Sequence, residues 1–304
     1  MDKKYLIGFI GQGWIGKNYA DSFVDRGYDV VRYGLEAEHV GNKAKIALCD
    51  FVFIAVPTPT TPQGFDDRHV RSALTLVGEG KTAVIKSTIP PGTTRALQEA
   101  HPSITVIHIP EFLREAHARN DVDNPARLIV GIPHETESHR MSAEVLLQIL
   151  PPAPHSRIVS AHEAEFIKYT HNAMGYATVV FMNVLYDLAQ KEGVDWSLIK
   201  EAIIKNPWFP EKYLEPVHQG GRGAGGDCFI KDFAALTEMY KKDLPHDKKG
   251  IAFLDAMAAK NNQLLRDSGK SLELLKGVYG DDAVCVCKNA GNHLERECEP
   301  SVKI

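Results

Sequence analysis

A glycine-spaced segment close to the N-terminus constrains the fold more than any other feature of the chain. An apolar run over 4–10 leads directly into Gly11-Gln12-Gly13-Trp14-Ile15-Gly16, and a helical pattern over 17–26 then ends at Gly27 before a second apolar run over 28–33. A strand, a GxGxxG turn and a helix in this order form the phosphate-binding fingerprint of dinucleotide-binding βαβ units. The sequence therefore predicts a Rossmann-like, doubly wound parallel sheet.

Each glycine of the fingerprint has a physical role. The first permits a tight turn, the second lets the backbone approach a pyrophosphate, and the third allows the helix to pack closely. The first amides of the following helix and its dipole then hold the phosphates. We expect cofactor contacts from Gly11, Gly13, Trp14, Ile15 and Gly16.

The fingerprint is incomplete at the end of the second strand. Dinucleotide-binding folds usually place an acidic residue there, about 20 residues beyond the glycines, to bind the adenosine ribose. Gly34 occupies the aligned position, with Arg32, Glu36 and Glu38 nearby. We expect NAD as the cofactor and a contact from Arg32, with NADP as the alternative because the acidic residue is missing.

Length and composition favour a two-domain enzyme. The chain has 304 residues, 44% of them hydrophobic, which is enough for two cores. Its net charge of −4 argues against a nucleic-acid partner. No apolar run reaches membrane-spanning length, so we expect no membrane partner. The N-terminal Met-Asp-Lys-Lys leads at once into a strand, so we expect no signal peptide. We therefore expect a cytoplasmic protein.

The five cysteines are scattered, which favours reduced thiols. Cys285 and Cys287, with His293 and Cys298, fit no standard zinc spacing. We expect no metal.

Strand-like and helical stretches alternate through the first half of the chain. Further apolar runs lie over 50–56, 82–86, 104–109 and 128–132, and a last short strand is expected near 157–160. This rhythm predicts a dinucleotide-binding domain over 1–160, with one peripheral helix trimmed between the second and third strands.

The second half is mainly helical. Apolar residues at helical spacing over 165–192 predict a long central helix. We expect a helical domain over 161–280 and a polar tail over 281–304.

A second glycine-rich segment contains one cysteine, Cys228, followed closely by Lys231 and Asp232. The segment spans 221–232 and reads Gly-Arg-Gly-Ala-Gly-Gly-Asp-Cys-Phe-Ile-Lys-Asp. Glycines let the backbone come near a ligand, and a thiol beside cationic groups can attack a carbonyl carbon. The alternative is that Cys228 is a small buried hydrophobe.

Four more segments, joined to the cysteine loop and the fingerprint, resemble the UDP-glucose and GDP-mannose 6-dehydrogenases over about residues 5 to 265. They are Val56-Pro57-Thr58-Pro59, Lys86-Ser87-Thr88-Ile89-Pro90-Pro91-Gly92-Thr93, Pro110-Glu111-Phe112-Leu113-Arg114-Glu115 and Glu163-Ala164-Glu165-Phe166-Ile167-Lys168-Tyr169-Thr170-His171-Asn172. The resemblance implies oxidation of a sugar primary alcohol to a carboxylate with two NAD.

A four-electron oxidation suits a thiol. Cys228 can add to the intermediate aldehyde, so that a second oxidation gives a thioester that water hydrolyses. Lys168 and Asn172 lie four residues apart on one helix face, where both can stabilise a developing oxyanion.

The resemblance adds roles for further residues. It assigns water activation and proton transfer to Thr88, Glu111 and Asp232. It assigns cofactor contacts to Val56, Pro57, Thr58, Thr88, Glu115 and Lys231. It assigns substrate contacts to Phe112, Leu113, Lys168, Asn172, Tyr213 and Gly225.

Each role has a structural alternative. Thr88 could serve only to cap the following helix. Glu111 and Glu115 could be surface charges, and Lys168 with Asn172 could form a solvated helix face.

The sequence departs from the family pattern in three places. After Gly280 too few residues remain for the third, nucleotide-closing domain of the family, so we expect a shortened form that is slow on a nucleotide sugar. Trp208 stands where the family has an arginine, and Ile230 where it has a proline.

Two other functions stay open at this stage. One is a two-electron β-hydroxyacid dehydrogenase, which shares the Lys-x-x-x-Asn motif but needs no cysteine. The other is a non-catalytic cofactor- or sugar-binding relative. We also expect a homodimer formed through the long helix.

Overall fold

The computed structural model describes residues 5–207 and 211–285, which form two compact units. The first unit extends through Thr58 and resumes over Asp66–Tyr169. The second takes Pro59–Phe65 and the described residues from Thr170 onward.

The first unit is built on a seven-stranded sheet with the order β2-β1-β3-β4-β5-β6-β7. The strands are β1 Leu6–Ile10, β2 Asp29–Tyr33, β3 Phe51–Ile54, β4 Thr82–Ile85, β5 Thr105–His108, β6 Arg127–Ile132 and β7 His155–Ser160. All residues of β3 and β4 are buried, as expected for parallel strands covered on both faces. The predicted Rossmann-like sheet is confirmed.

Five helices and two 3-10 segments connect these strands. The helices are α1 Trp14–Asp25, α2 Arg68–Leu74, α3 Thr93–Ala100, α4 Ala118–Asp123 and α5 Glu137–Ile149, and the 3-10 segments are Val40–Leu48 and Glu115–His117. The link between β2 and β3 holds only the segment Val40–Leu48, in agreement with the trimmed peripheral helix. The first helix begins at Trp14, three residues earlier than predicted.

The sheet differs from the prediction in one pairing, because β5 and β6 run antiparallel, with His108 opposite Gly131. A parallel neighbour would need a crossover that returns the chain to the opposite edge of the sheet. Here α4 packs instead against α1, where Arg119 of α4 pairs with Asp25 of α1 and Ser22 of α1 donates to Asp123 of α4. The chain therefore enters β6 from the edge at which β5 ends.

Aromatic rings dominate the core of the first unit. Phe9 and Phe53 stack with their ring centroids 5.0 Å apart, and Phe23 packs against both rings. All three side chains are buried. The same apolar strands that identify the fold therefore provide its main packing layer.

The two compact units do not divide at the predicted domain boundary, residue 160, which stays a prediction. The long helix, α6, spans Ala161–Lys191, and its first turns belong to the first unit. A Cβ atom on Gly131 would lie 2.6 Å from the Cβ of Ala164 and 2.9 Å from the Cα of Ala161. The helix therefore starts in close contact with the sheet, and the boundary falls between Tyr169 and Thr170.

The second unit is helical, as predicted. After α6 it contains α7 Trp196–Ile204, α8 Gly226–Asp243, α9 Lys248–Ser268 and α10 Leu272–Tyr279. Tyr176 and Phe233 stack at its centre with ring centroids 3.9 Å apart. The small hairpin within Pro59–Phe65 packs against α8 and α10, which places it in this unit although the chain reaches it between two strands of the sheet.

Several expectations concern the ends of the described ranges. Of the predicted tail, the structure describes the 3-10 segment Asp281–Val284 and Cys285; Cys287, His293 and Cys298 lie outside the described residues, as does Trp208. Cys49 and Cys228 carry thiols, whereas Cys285 is disulfide-bonded, so the expectation of reduced thiols is wrong for that residue.

Within residues 5–207 and 211–285, no helix combines the length and apolar character needed to cross a membrane.

Candidate active site

The glycine turn after β1 has the geometry of a dinucleotide cradle. Gly11 has a φ of 90°, and a Cβ there would lie 2.2 Å from the carbonyl oxygen of Ala55. A Cβ on Gly16 would lie 1.9 Å from the carbonyl oxygen of Gly11, whereas one on Gly13 would have nothing within 4 Å. Two glycines are thus required for packing, and the third leaves open space in front of the backbone. This shape fits a pyrophosphate.

The start of α1 faces the same turn. Gly13 is the N-cap, and no side chain bonds the first amides of the helix at Trp14 and Ile15. Its first turn also carries no acidic residue. Unpaired amides at the positive end of a helix favour an anion, so these residues suit the phosphate-binding role predicted for them.

Arg32, for which a cofactor contact stays a prediction, bonds within the protein. Its guanidinium lies 2.7 Å from the Asp21 carboxylate, and Lys17 lies 2.7 Å from the same side chain. Burial acts to raise the pKa of Asp21, but the bonds from Lys17 and Arg32 outweigh it and lower the pKa. Arg32 therefore serves to hold β2 against α1.

The loops after β3 and β4 are bonded to each other. The amide of Val56 donates to Ser87 Oγ at 3.0 Å, and Ser87 Oγ donates to the carbonyl oxygen of Val56 at 2.7 Å. Thr58 Oγ1 donates to the carbonyl oxygen of Thr88 at 2.8 Å. The predicted cofactor segment Val56-Pro57-Thr58 and the predicted catalytic Thr88 therefore lie side by side.

Thr88 does not cap the helix that follows it. The N-cap of α3 is Gly92, and Glu165 of α6 accepts hydrogen bonds from the amides of Gly92 and Thr94 at 2.5 and 2.7 Å. The capping alternative for Thr88 is therefore wrong. Glu165, which stands three residues before Lys168, performs that task from another element.

Glu111 is a buried carboxylate rather than a surface charge. Its Oε1 accepts hydrogen bonds from the amides of Phe112 and Leu113 at 2.7 and 3.1 Å. Its Oε2 lies 2.9 Å from Lys86 Nζ, and the two side chains are 8% and 2% exposed. Lys86 Nζ also donates to the hydroxyl of Tyr19 at 3.1 Å.

Sequence reasoning missed Lys86 and Tyr19 as members of this site. Burial, followed by the charge of Glu111, raises the pKa of Tyr19 well above its usual value. The available signal was a lysine directly after the apolar run 83–85 of strand β4, because a buried cation requires a partner.

More cationic groups surround Phe112. Lys168 Nζ lies 5.5 Å from the centre of its ring, and the guanidinium carbon of Arg127 lies 3.9 Å from it. Lys168 is buried, which removes the solvated-face alternative for this residue. Burial, and then the charges of Lys86 and Lys168, lower the pKa of His108 to about 3, so its ring is neutral at neutral pH.

Glu115 stands apart from this cluster. It is exposed at the start of the segment Glu115–His117, next to Arg114, whose side chain bonds Asp121 at 2.6 and 2.9 Å. The bonds from Arg114 lower the pKa of Asp121 to about 2. The exposed position of Glu115 is compatible with both the predicted cofactor contact and the surface-charge alternative, and both stay predictions.

Cys228 lies in the first turn of α8, whose N-cap is Gly225. The side chain is half-buried, which disagrees with the alternative of a buried core cysteine. Gly223 and Gly226 have φ angles of 88° and 79°, conformations that favour glycine. The glycine-rich approach therefore turns the chain sharply and presents the thiol at a helix start.

Side chains of α9 and of the turn after it form hydrogen bonds with the backbone of this glycine-rich loop. Asn261 accepts from the amide of Ala224 at 2.7 Å and donates to its carbonyl oxygen at 3.1 Å. Ser271 Oγ accepts from the amide of Gly226 at 3.2 Å, and Lys270 Nζ donates to the carbonyl oxygen of Gly223 at 3.0 Å. None of the three holding side chains was predicted, because each lies some 40 residues along the chain.

Asn172 and Asp232 form a buried pair in the second unit. Asn172 Nδ2 donates to Asp232 Oδ2 at 2.6 Å, and Lys231 Nζ lies 2.6 Å from Oδ1 of the same carboxylate. Asp232 is 2% exposed and Asn172 6% exposed. Asp232 follows Cys228 by four residues on α8, so the thiol and this pair share one face of the helix.

Two predicted substrate residues flank the same loop. A Cβ on Gly225 would lie 2.6 Å from Ser271 Oγ, so only glycine fits there. Tyr213 has a φ of 74°, and its ring centroid lies 5.4 Å from that of Phe229. Both rings lie within 3 Å of the position that a Cβ on Gly175 would take.

The predicted residues therefore fall into two groups. One group lies in the first unit and contains the glycine turn, Val56 to Thr58, Thr88, Glu111, Phe112, Leu113 and Lys168. The other lies in the second unit and contains Asn172, Tyr213, Gly225, Cys228, Lys231 and Asp232. Among the residues described by the structure, no cluster of histidine, cysteine and carboxylate side chains could hold a metal ion.

These features define a dinucleotide-binding oxidoreductase class with a helical second unit. A sequence model for the NAD binding domain of the UDP-glucose/GDP-mannose dehydrogenase family matches residues 34–149, and a model for its central domain matches residues 162–263. Together they cover more than half of the chain. The protein belongs to the UDP-glucose/GDP-mannose dehydrogenase family, and its first unit is that family's NAD-binding domain.

Characterised relatives agree with this assignment. The chain is 31% identical to the UDP-glucose 6-dehydrogenase TuaD of Bacillus subtilis over 210 residues, which are 64% of this chain and 43% of the relative. It is 29% identical to the UDP-glucose 6-dehydrogenase of Rhizobium meliloti over 314 residues, covering 88% of this chain and 69% of the relative. It thus spans less than half of the first relative's length.

Solved structures show the same fold. A UDP-glucose dehydrogenase from the archaeon Pyrobaculum islandicum superposes with a TM-score of 0.73 and 26% identity, covering 91% of this chain and 72% of that one. A GDP-mannose dehydrogenase from Pseudomonas aeruginosa, at 22% identity and a TM-score of 0.59, supports the fold alone.

Proposed function

We propose that this protein oxidises the primary alcohol of a nucleotide sugar of the UDP-glucose type to a carboxylate in two NAD-dependent steps. The observation that carries the proposal is the half-buried Cys228 at the start of α8, on the same helix face as the buried Asn172–Asp232 pair. A two-electron alcohol dehydrogenase stops at the carbonyl product and needs no thiol. A four-electron enzyme must turn the aldehyde back into a hydride donor, and a thiol does this by forming a thiohemiacetal.

NAD, which the glycine turn and the first amides of α1 would hold, would supply the hydride acceptor for each of the two oxidations. In the first, the alcohol carbon loses a hydride and the hydroxyl loses a proton, which gives an aldehyde. The thiol sulfur of Cys228 then adds to the aldehyde carbon, and the carbonyl oxygen takes a proton to form a thiohemiacetal. Loss of a second hydride and of the hydroxyl proton leaves a thioester.

Water completes the sequence. It adds to the thioester carbon, the carbon–sulfur bond breaks, and the products are a carboxylate and the regenerated Cys228 thiol. Glu111 and Thr88 are assigned to orient this water and to take its proton. The Lys86 cation, 2.9 Å from Glu111, compensates a carboxylate that would otherwise be unstable in a buried position.

Lys168 and Asn172 are assigned to the oxygen that changes charge during these steps. They stand four residues apart on the uninterrupted helix α6, so a cation and an amide donor can face the same oxygen. The bond from Asn172 to Asp232 fixes the orientation of the amide. Asp232 is thereby assigned both to positioning and to proton transfer.

The experiment measures NADH formation by the purified protein with a panel of UDP- and GDP-sugars, together with the mass of the product. We expect two NADH per sugar and a product heavier by 14 mass units, the change from CH₂OH to COOH. The Cys228→Ser variant should lose carboxylate formation. Cys49→Ser is the matched control, because Cys49 is fully buried and burial raises its pKa to about 11.

Other outcomes separate the competing functions. One NADH per substrate, with undiminished turnover in Cys228→Ser, would indicate a two-electron β-hydroxyacid dehydrogenase. Binding of NAD and of a nucleotide sugar with no turnover of any alcohol would indicate a non-catalytic relative.

We also propose that the protein forms a homodimer through α6. Met174, Phe181 and Leu188 are 66%, 58% and 59% exposed and recur at intervals of seven, so they share one face of the helix. Val184, at 44% exposure, extends the same stripe. Exposed apolar stripes of this kind favour association. Sedimentation should give a dimer for the parent chain and a monomer for Phe181→Glu; a monomeric parent chain would contradict the proposal.

A further inference from the structure

The space beside Gly34 is filled by a carboxylate from elsewhere in the chain. Gly34 stands one residue beyond β2, at the position where dinucleotide-binding folds usually carry an acidic side chain. A Cβ on Gly34 would lie 2.0 Å from Oε2 of Glu36 and 3.2 Å from the Cγ of Gln12. The Glu36 carboxylate therefore occupies the volume that an aspartate side chain at position 34 would take.

This position is next to the glycine turn. The carbonyl oxygen of Tyr33, immediately before Gly34, accepts a hydrogen bond from the amide of Gly11 at 2.9 Å. Gln12, whose side chain also faces Gly34, is the second residue of the turn. The Glu36 carboxylate thus lies at the carboxyl edge of the sheet beside the predicted pyrophosphate site, where the adenosine ribose of a dinucleotide is bound.

The backbone around Glu36 is held in a turn. Its carbonyl oxygen accepts from the amides of His39 and Val40 at 2.9 and 3.0 Å. The side chain remains exposed, and within the described residues no hydrogen bond or ion pair involves its carboxylate. Its two oxygens are therefore available to accept hydrogen bonds from a ligand.

Two charged residues that flank Gly34 in the sequence have partners of their own. Arg32 pairs with Asp21 at 2.7 Å. Glu38 lies 3.3 Å from Nε2 of His39. A 2′-phosphate, which distinguishes NADP from NAD, would meet the Glu36 carboxylate, and Arg32 is bonded to an aspartate.

We propose that Glu36 binds the ribose hydroxyls of the adenosine half of NAD and excludes NADP. The carboxylate reaches the ribose position from two residues further along the chain and folds back over Gly34. Gly34 then makes room for the binding carboxylate, because any side chain at position 34 would displace that of Glu36. The inference rests on the NAD-binding domain and not on the proposed sugar oxidation.

The test is a binding measurement on the full chain without sugar. Titration with NADH and NADPH, followed by the fluorescence of the reduced nicotinamide, gives a Kd for each. We expect the Glu36→Gln variant to bind NADH about tenfold to a hundredfold more weakly, the loss typical of charged hydrogen bonds. Binding of NADPH should weaken less or improve, because the substitution removes a negative charge.

Two further variants make the result specific. Glu38→Gln removes the same charge two residues away and should leave both Kd values unchanged. Gly34→Asp combined with Glu36→Ala clears the volume that the Glu36 side chain fills and places a carboxylate at the usual position. This double variant should bind NADH more tightly than Glu36→Ala alone, since Gly34 is not in a left-handed conformation. An unchanged NADH affinity in a folded Glu36→Gln variant, or an equal loss in Glu38→Gln, would overturn the proposal.

Failure of the oxidation assay would not affect this outcome, because binding is measured without turnover. Conversely, a negative binding result would leave the assignment of Cys228 untouched. The two proposals can therefore fail separately.

Discussion

Each unit of the protein buries one carboxylate beside a lysine, but the two carboxylates are held in different ways. In the first unit, Glu111 bonds two backbone amides and a lysine that is 2% exposed. In the second, Asp232 is held by the side chains of Asn172 and of Lys231, whose side chain is 18% exposed. Backbone bonds set the position of Glu111, whereas side chains set the position of Asp232.

This difference indicates which substitutions should affect each carboxylate. The charge of Glu111 is compensated by the buried cation of Lys86, so we expect the loss of Lys86 to affect folding. Asp232 has a partner near solvent, where water can partly replace the lysine. Its geometry depends instead on Asn172, so changes there affect the chemistry.

The largest expected effect is that of Lys86→Met. Removing the cation leaves Glu111 buried without a compensating charge, which should lower the free energy of unfolding by about 3–5 kcal/mol. Urea denaturation followed by circular dichroism gives this value. The double variant Lys86→Met with Glu111→Gln should recover a large part of the loss. If the single variant is as stable as the parent, Lys86 does not compensate Glu111.

The corresponding change in the second unit should act on catalysis. Asn172→Asp replaces the amide donor by a second carboxylate against Asp232 and removes the donor that we propose for the reacting oxygen. We expect kcat to fall about a hundredfold to a thousandfold, the usual effect of removing such a donor. Pre-steady-state NADH formation should show the loss in the oxidation step. Normal turnover in a folded Asn172→Asp variant would exclude that role.

An intermediate effect should come from His108, a neutral imidazole in the first unit. Its pKa is about 3 in the folded protein, well below the ordinary 6.5, because burial and nearby cations oppose its charge. The unfolded chain therefore binds the extra proton first, and stability falls as the pH drops from 6.5 towards 3. The contribution of this residue is about 1.4 kcal/mol per pH unit.

Urea denaturation at a series of pH values measures that contribution. The His108→Gln variant, which cannot titrate, should lose stability less steeply than the parent chain over the same interval. Identical slopes would show that His108 is not held neutral by its surroundings.

The smallest effect should be that of Lys231→Met, the counterpart of Lys86→Met. Because Lys231 is partly exposed, its ion pair with Asp232 should contribute only about 1 kcal/mol or less to stability. Thermal unfolding compares the two lysine variants directly. Equal losses of stability would remove the distinction drawn between the two carboxylates.

Local patterns were sufficient to predict most elements of the fold. The strands, the glycine turn, the long helix and the helical second half all follow from periodicity and glycine spacing within short windows. The glycine-rich approach to Cys228 was visible for the same reason. The antiparallel β6 was not, because the direction of a strand depends on where its connection packs.

Within the site, the sequence indicated single residues and missed their partners. The pairing of Lys86 with Glu111, the capping of α3 by Glu165 and the clamp of Asn261 on Ala224 join residues far apart in the chain. No local pattern contains such pairs. Lys231 was identified as a cofactor residue by resemblance, yet its nearest partner is the adjacent Asp232.

The half-buried position of Cys228 has a consequence for handling the protein. A half-buried thiol is open to peroxide, whereas Cys49 is shielded. Oxidation would first give a sulfenic acid, which added thiols reverse, and then a sulfinic acid, which they do not. We therefore expect activity to decline during storage in air, and the fraction that dithiothreitol restores to show how far the oxidation has gone.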